Sequence, residues 1–326
     1  MTMTGPVLTA ATLNRRELLS ATAAVAGVWA AGGVPPTADA APGAPPLPVP
    51  VKVVPIPPQA PVTEGFLDVG GARLWYWDTG GKGEPIVLSH PATGSGASWG
   101  YQQPAFSKAG YRVIGYSRRG HFKSEITGTD SPATGSGDLQ KLVDHLGLRR
   151  FHLVGSAAGT FLAAQYAVIH PQSLLSVVLG SSLINIQDEA YQSLIARLVP
   201  PSFAMMPPEF RELGPSYRAA NPAGTDEWIQ LEKTARSVEP RPPQMGSTDG
   251  GIAVTFESLN ALDVPVLLLT GNCDLYACPA LLVYVAKRLG KNEVVIIENA
   301  GHAPFWEQPE AYNSAVLRFI RRHRGA

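Results

Sequence analysis

The chain has 326 residues, 26 basic and 26 acidic side chains, a formal net charge of zero and 45% hydrophobic residues. That is enough for one large core, or for a core with a smaller insertion. The neutral balance, with no long basic run, argues against nucleic acid or an anionic membrane surface as a partner.

Residues 1–40 read as an export signal. Asn14-Arg15-Arg16-Glu17-Leu18-Leu19 leads into an Ala/Val/Gly run to about Val34, and Ala38-Asp39-Ala40 is a small-x-small cleavage site. Paired arginines followed by two leucines resemble the twin-arginine signal, which implies export of folded cargo to the periplasm or the extracellular space. A single membrane anchor is the other reading. The run is interrupted by Ser, Thr and Gly and is short for a span, so no stable membrane span is expected after cleavage. Residues 41–61, dense in proline and alanine, read as an extended tether, with nothing packed before about Val62.

From Glu64 the pattern is compact. Strands are expected over 65–69 and 72–78 around the Gly70-Gly71 hairpin turn, with Trp75 and Trp77 as packing residues. A short buried strand over 85–89 ends at His90-Pro91. A helix over 101–109, a strand over 111–116 and the loop Ser117-Arg118-Arg119-Gly120-His121-Phe122-Lys123-Ser124 follow. Leu139, Leu142, Val143 and Leu146 recur at helical spacing over 137–146, with Asp138 at the N-terminal end. Phe151-His152-Leu153-Val154 is a buried strand, Gly155 to Gly159 a sharp small-residue turn, and 161–169 a helix. Another apolar strand covers 174–180.

Residues 182–260 break this rhythm. An amphipathic stretch over 183–198, a proline-punctuated run over 200–208 and helical segments over 210–220 and 227–236 read as a helical cap. The sheet resumes at 264–270, followed by a helix over 279–289, a strand over 293–297 and a closing helix over 308–322. The expected fold is therefore α/β: a mostly parallel sheet with helices on both faces, built from 62–181 and 261–326, with a cap inserted at 182–260. Cys273 and Cys278 make neither a disulfide framework nor, without a second Cys/His cluster, a zinc signature. They read as packing or loop residues, and no metal or other cofactor is implied.

The strand, turn and helix around 151–169 are the setting of a G-x-S-x-G nucleophile elbow. Gly155 and Gly159 are its glycines, and the central residue is Ala157. Ser156 stands one place too early and is expected to point away from the site. Four more pieces lie in order: His90 after its strand, the loop 117–124, Gly271-Asn272-Cys273-Asp274 after an apolar strand, and Asn299-Ala300-Gly301-His302 after the last strand. Together they resemble the α/β-hydrolase fold family over roughly residues 64–324.

That resemblance implies a set of roles. His302 accepts a proton and returns it to a leaving group, and Asp274 holds the other imidazole nitrogen. The backbone N–H groups of Ala158 and Ala92 form an oxyanion hole. His90 orders that loop at the edge of the substrate pocket, Arg118 and Arg119 make hydrogen bonds around it, and Met205 and Met206 line the pocket. The sequence also departs from the family pattern: Pro91 replaces a glycine, Ser117 an aspartate, Phe122 a glycine and Ala157 the nucleophilic serine.

A small, largely apolar ester- or lactone-like molecule is the implied partner. Three readings follow from Ala157: a serine hydrolase inactivated by the replacement, an enzyme in which His302 and Asp274 act without a covalent intermediate, or a pseudoenzyme that binds without turnover. Ser156 as a shifted nucleophile is a weaker alternative, since the elbow exposes one side chain only.

Overall fold

In the computed structural model, residues 51–128, 135–181, 184–199, 201–236 and 253–325 are described. The expected export signal, residues 41–50 of the tether and residues 237–252 of the cap lie outside them.

Strands β1 (Thr63–Asp68) and β2 (Ala72–Asp78) form the expected hairpin. Gly70 and Gly71 close it at φ +76° and +71°, the pair of left-handed residues that a two-residue turn needs to match strand twist. The chain continues through β3 (Pro85–Ser89), α1 (Gln102–Lys108), β4 (Arg112–Tyr116), β5 (Glu125–Ile126), α2 (Gly135–His145), β6 (Phe151–Ser156), α3 (Ala158–Ile169) and β7 (Leu174–Gly180). The sheet order is β1-β2-β4-β3-β6-β7 and then β8 (Val266–Gly271) and β9 (Glu293–Ile297), with β5 beside β2. From β4 to β9 every neighbouring pair is parallel.

Central strands β6, β7 and β8 are buried along their whole length. This explains their near-continuous apolar sequences: a parallel sheet covered on both faces has no wet side. Successive residues still face opposite ways. Leu153 packs with Leu162 and Leu179 in one core, while Val154 packs with Leu88, Leu269 and Phe319 in the other. After β3 the chain steps to β4 on one side, then returns to β6 and grows the other way. The crevice between β3 and β6 is the switch point at which open α/β sheets hold ligands.

Between β7 and β8 lie α4 (Glu189–Leu198), α5 (Pro208–Glu212), α6 (Pro215–Ala220), α7 (Pro222–Thr234) and α8 (Phe256–Asn260). Helix α4 starts later than 183, because the Asp188 carboxylate caps it by accepting from the Tyr191 N–H at 2.8 Å. The segment expected over 210–220 is two helices. Pro215 holds Gly214 at φ −64°, ψ 149°, an extended conformation that breaks the run. Helix α7 begins at Pro222 instead of 227, with the Asn221 side chain as its cap. After β8 come α9 (Pro279–Ala286), β9, α10 (Pro304–Glu307) and α11 (Pro309–Arg321).

One expectation fails at the start of the domain. Residues 51–62 carry no helix or strand, yet they pack. Val51, Val54 and Ile56 lie against the second core. The Tyr101 hydroxyl donates to the Val54 carbonyl at 2.7 Å, and Gln103 bonds both backbone groups of Ala60 at 2.7 and 2.9 Å. Proline-rich backbone still exposes carbonyls, and residues 101–103 supply the donors. Among the described residues no helix is long and apolar enough to cross a membrane.

Candidate active site

The sharpest feature is the turn between β6 and α3. Ala157 sits at φ +50°, ψ −114°, a conformation that costs a residue with a Cβ on the order of 1–3 kcal/mol. Two glycines make the turn possible. A Cβ on Gly155 would lie 2.7 Å from the Gly159 carbonyl oxygen, and one on Gly159 would collide with the Ser89 carbonyl of β3. Ala157 donates its N–H to the Gly180 carbonyl at 2.8 Å, which ties the turn to β7. Ser156 is the last, buried residue of β6. The residue displayed on the turn is the alanine.

Ala157 and Ala158 line a cavity of about 190 Å³ with Ala92, Thr93, Phe161, Ser181, Arg211, Glu212, Arg236, Tyr276 and His302. Ala158 is the first residue of α3, where N–H groups have no partner within the helix. Ala92 follows β3, in a loop ordered from beneath by His90. That ring is fully buried; its Nδ1 lies 2.7 Å from the Pro91 carbonyl, and its Nε2 accepts from the Arg118 N–H at 3.0 Å. His121 packs on it at 4.7 Å between ring centroids. Burial, with Arg118 alongside, holds His90 well below the usual histidine range and His121 at about 3, so both rings are neutral. Arg119 forks onto the Asp138 carboxylate at 2.6 and 2.7 Å. Arg118 thus makes the loop contacts expected of it, also donating to the Pro91 carbonyl at 3.1 Å, whereas Arg119 bonds Asp138 of α2 and the Val69 carbonyl instead.

His302 and Asp274 meet across the ends of β9 and β8. The imidazole Nδ1 stands 3.0 and 2.9 Å from the two Asp274 oxygens, and the Tyr276 ring packs against the imidazole, tilted by 37°, at 4.3 Å between centroids. Asp274 also accepts from the Tyr276 and Ala277 N–H groups and from the Thr270 hydroxyl, each at 2.8 Å. This arrangement fixes the tautomer and leaves Nε2 for the cavity. Burial opposes charge on His302, but Asp274, joined by Glu212 and Glu307, prevails and raises it to about 9. Burial likewise opposes the Asp274 anion, yet the imidazolium and the donors keep it below the usual aspartate range. At neutral pH the pair is an imidazolium on a carboxylate.

Three pocket assignments are corrected. His90 supports the loop from below and does not line the cavity. Met205 is 86% exposed and Met206 37%, because the short turn Pro201–Met205 turns Phe203 inward, onto Tyr276 at 4.7 Å. The cavity contains groups that sequence reasoning missed. Glu212 is buried, with Oε1 accepting from the Tyr276 hydroxyl at 3.2 Å and Oε2 from the Thr93 hydroxyl at 3.4 Å. Its backbone carbonyl accepts the His302 N–H at 2.7 Å. Arg211 donates to the Tyr276 hydroxyl at 2.7 Å. Ser181 follows β7 at φ +49°, and its buried Oγ has no hydrogen-bond partner among the described residues.

Among the described residues no three His, Cys, Asp or Glu side chains are placed to hold a metal ion. Cys273 and Cys278 are free thiols. A larger cleft of about 670 Å³ runs between residues 56–59 and α7, where Glu227 is the one titratable side chain lining it among the described residues. The chemistry is concentrated in the smaller cavity.

A family profile described as "alpha/beta hydrolase fold" matches residues 84–309. The chain is 27% identical over 275 residues to the 2-hydroxy-6-oxononadienedioate/2-hydroxy-6-oxononatrienedioate hydrolase of Burkholderia vietnamiensis, covering 77% of this chain and 91% of that one. In fold it is similar to a thermophilic esterase from Thermogutta terrifontis, with a TM-score of 0.65 and 23% identity over 81% of this chain and 100% of that one. An enol-lactonase from Burkholderia xenovorans superposes with a TM-score of 0.62 and 22% identity, over 79% of this chain and 100% of that one.

Proposed function

This chain belongs to the α/β-hydrolase family, and on that premise we propose that it cleaves a small ester- or lactone-like substrate without a covalent nucleophile, with Asp274 and His302 as the acid–base pair. The observation that carries this reading is the buried Asp274–His302 contact of 2.9 Å facing the same cavity as the Ala157 methyl. A hydroxyl nucleophile is absent at the turn, so no acyl-enzyme can form there. Water is then the attacking group. The backbone N–H groups of Ala158 and Ala92 are the donors for the developing oxyanion. His302, charged at neutral pH, holds a proton for the departing oxygen. The relative from Burkholderia vietnamiensis, named as a hydrolase, supports bond cleavage by water. The Arg15-Arg16 leader supports export through the twin-arginine route.

The test compares the natural chain, Ala157→Ser and His302→Ala on short-chain aryl esters and lactones. Turnover by the natural chain that disappears in His302→Ala, with no labelling by a fluorophosphonate, is the expected result. Turnover in Ala157→Ser alone identifies an inactivated serine hydrolase. Ligand binding without turnover in either form identifies a pseudoenzyme.

A further inference from the structure

We propose that the Glu212 carboxylate is the base for the attacking water, while His302 serves as the acid toward the leaving oxygen. This assignment rests on the non-covalent reading above and divides its two proton transfers between the core and the cap.

Among the described residues three buried carboxyl groups surround His302, and one of them has room for a ligand. Asp274 is filled by His302, Thr270 and two backbone N–H groups. Glu307 accepts from the N–H groups of Gly301, Gly214 and Ala303 at 2.8, 2.7 and 3.2 Å and does not line the cavity. Glu212 lines it and is held by two hydroxyl contacts, at 3.2 and 3.4 Å. A carboxylate offers about four lone-pair sites, so it keeps acceptor capacity toward the cavity. Both hydroxyls can also rotate.

The groups around this carboxylate are His302, Arg211, Tyr276 and Asp274, with Thr93 from the β3 loop and Arg236 across the cavity. Burial raises the Glu212 carboxyl above its usual range, against the pull of His302 and Arg211. His302 is displaced upward as well, to about 9. Both groups are thus shifted upward, and the geometry separates their roles: the Glu212 carboxylate keeps acceptor sites open to the cavity, while Asp274 holds a proton on His302. An imidazole that is already protonated at neutral pH cannot accept the water proton, whereas a carboxylate can.

In the resulting step, water oxygen bonds to the carbonyl carbon as Glu212 takes one water proton. The tetrahedral oxyanion then collapses, the bond from carbon to the leaving oxygen breaks, and the His302 Nε2 proton goes to that oxygen. Glu212 now holds one proton and His302 lacks one; solvent returns both to their starting state. The net reaction is hydrolysis, with no other reactant.

Glu212→Gln keeps the size and both hydroxyl contacts of the residue while removing the base. For the natural chain, kcat should rise on the acid side as Glu212 ionises and fall through about 9 as His302 loses its proton. In the Gln variant kcat should fall by about 10²–10⁴-fold, with KM little changed and the acid limb gone. Formate added to Glu212→Ala should restore part of the rate, which a merely structural role does not predict. A Gln variant of near-natural activity, with one limb rising through about 9, overturns the proposal and leaves the non-covalent reading intact. Absence of turnover in the natural chain overturns both.

Discussion

Asp274 and Ser181 lie at the ends of adjacent strands and show opposite uses of a buried polar group. Asp274 has a donor at each acceptor site, and its charge maintains the imidazolium. In Asp274→Asn that charge is removed, leaving Glu212 and Glu307 alone to oppose the effect of burial on His302. The imidazole titration, followed by NMR, should move down from about 9, and turnover should fall by at least about 100-fold. Ser181 has the reverse problem. Its hydroxyl is buried without a partner among the described residues, so Ser181→Ala should stabilise the unliganded protein by about 1 kcal/mol, read as a higher urea midpoint. A loss of ligand affinity alongside that gain would mark the hydroxyl as a substrate contact.

At the scale of elements, the decisive contact is α3 against β3. Because a Cβ on Gly159 would collide with the backbone of β3, Gly159→Ala should cost about 3 kcal/mol or more, measured by denaturant unfolding. The strain at Ala157 depends on this close approach. These parts were legible in the sequence because each is local: a buried apolar strand, a small-residue turn, a following helix. The acid and histidine turns were readable in the same way, as residues just past apolar strands. Glu212 and Arg211 were not. They come from a five-residue helix (Pro208–Glu212) whose sequence has no spacing that points to a site, and tertiary packing alone brings them to His302. Met205 and Met206 misled because apolar character does not tell which side of a turn faces inward; Phe203 took that place. The proline-rich segment before β1 was misread from composition, since the Tyr101 and Gln103 donors that fasten it lie 47 and 43 residues away from their acceptors.

For the whole molecule, the buried titratable groups set a pH window of stability. Burial holds His90 well below 6.5, His121 at about 3 and His152 at about 4. The unfolded chain binds these protons more readily, so stability falls as pH drops below 6.5. His302 at about 9 and Glu307 at about 8 hold protons more tightly when folded. Their contribution is lost as pH rises: from 6.5 through about 9 for His302, and from 4.5 through about 8 for Glu307. The melting temperature should therefore peak near pH 6–7 and decline on both sides, as a calorimetric series across pH would show. A plateau extending beyond pH 9 would contradict the raised His302.

The backbone carbonyl of Glu212 accepts from both His302 and Ala303, at 2.7 and 3.2 Å, and Gly214 donates to Glu307 at 2.7 Å. This part of the cap is riveted to the loop bearing the imidazole. It cannot lift away to admit a molecule without dragging the proton donor out of line. Traffic into the cavity must therefore pass elsewhere along its rim, and the doorway and the reacting centre cannot be tuned independently at this joint.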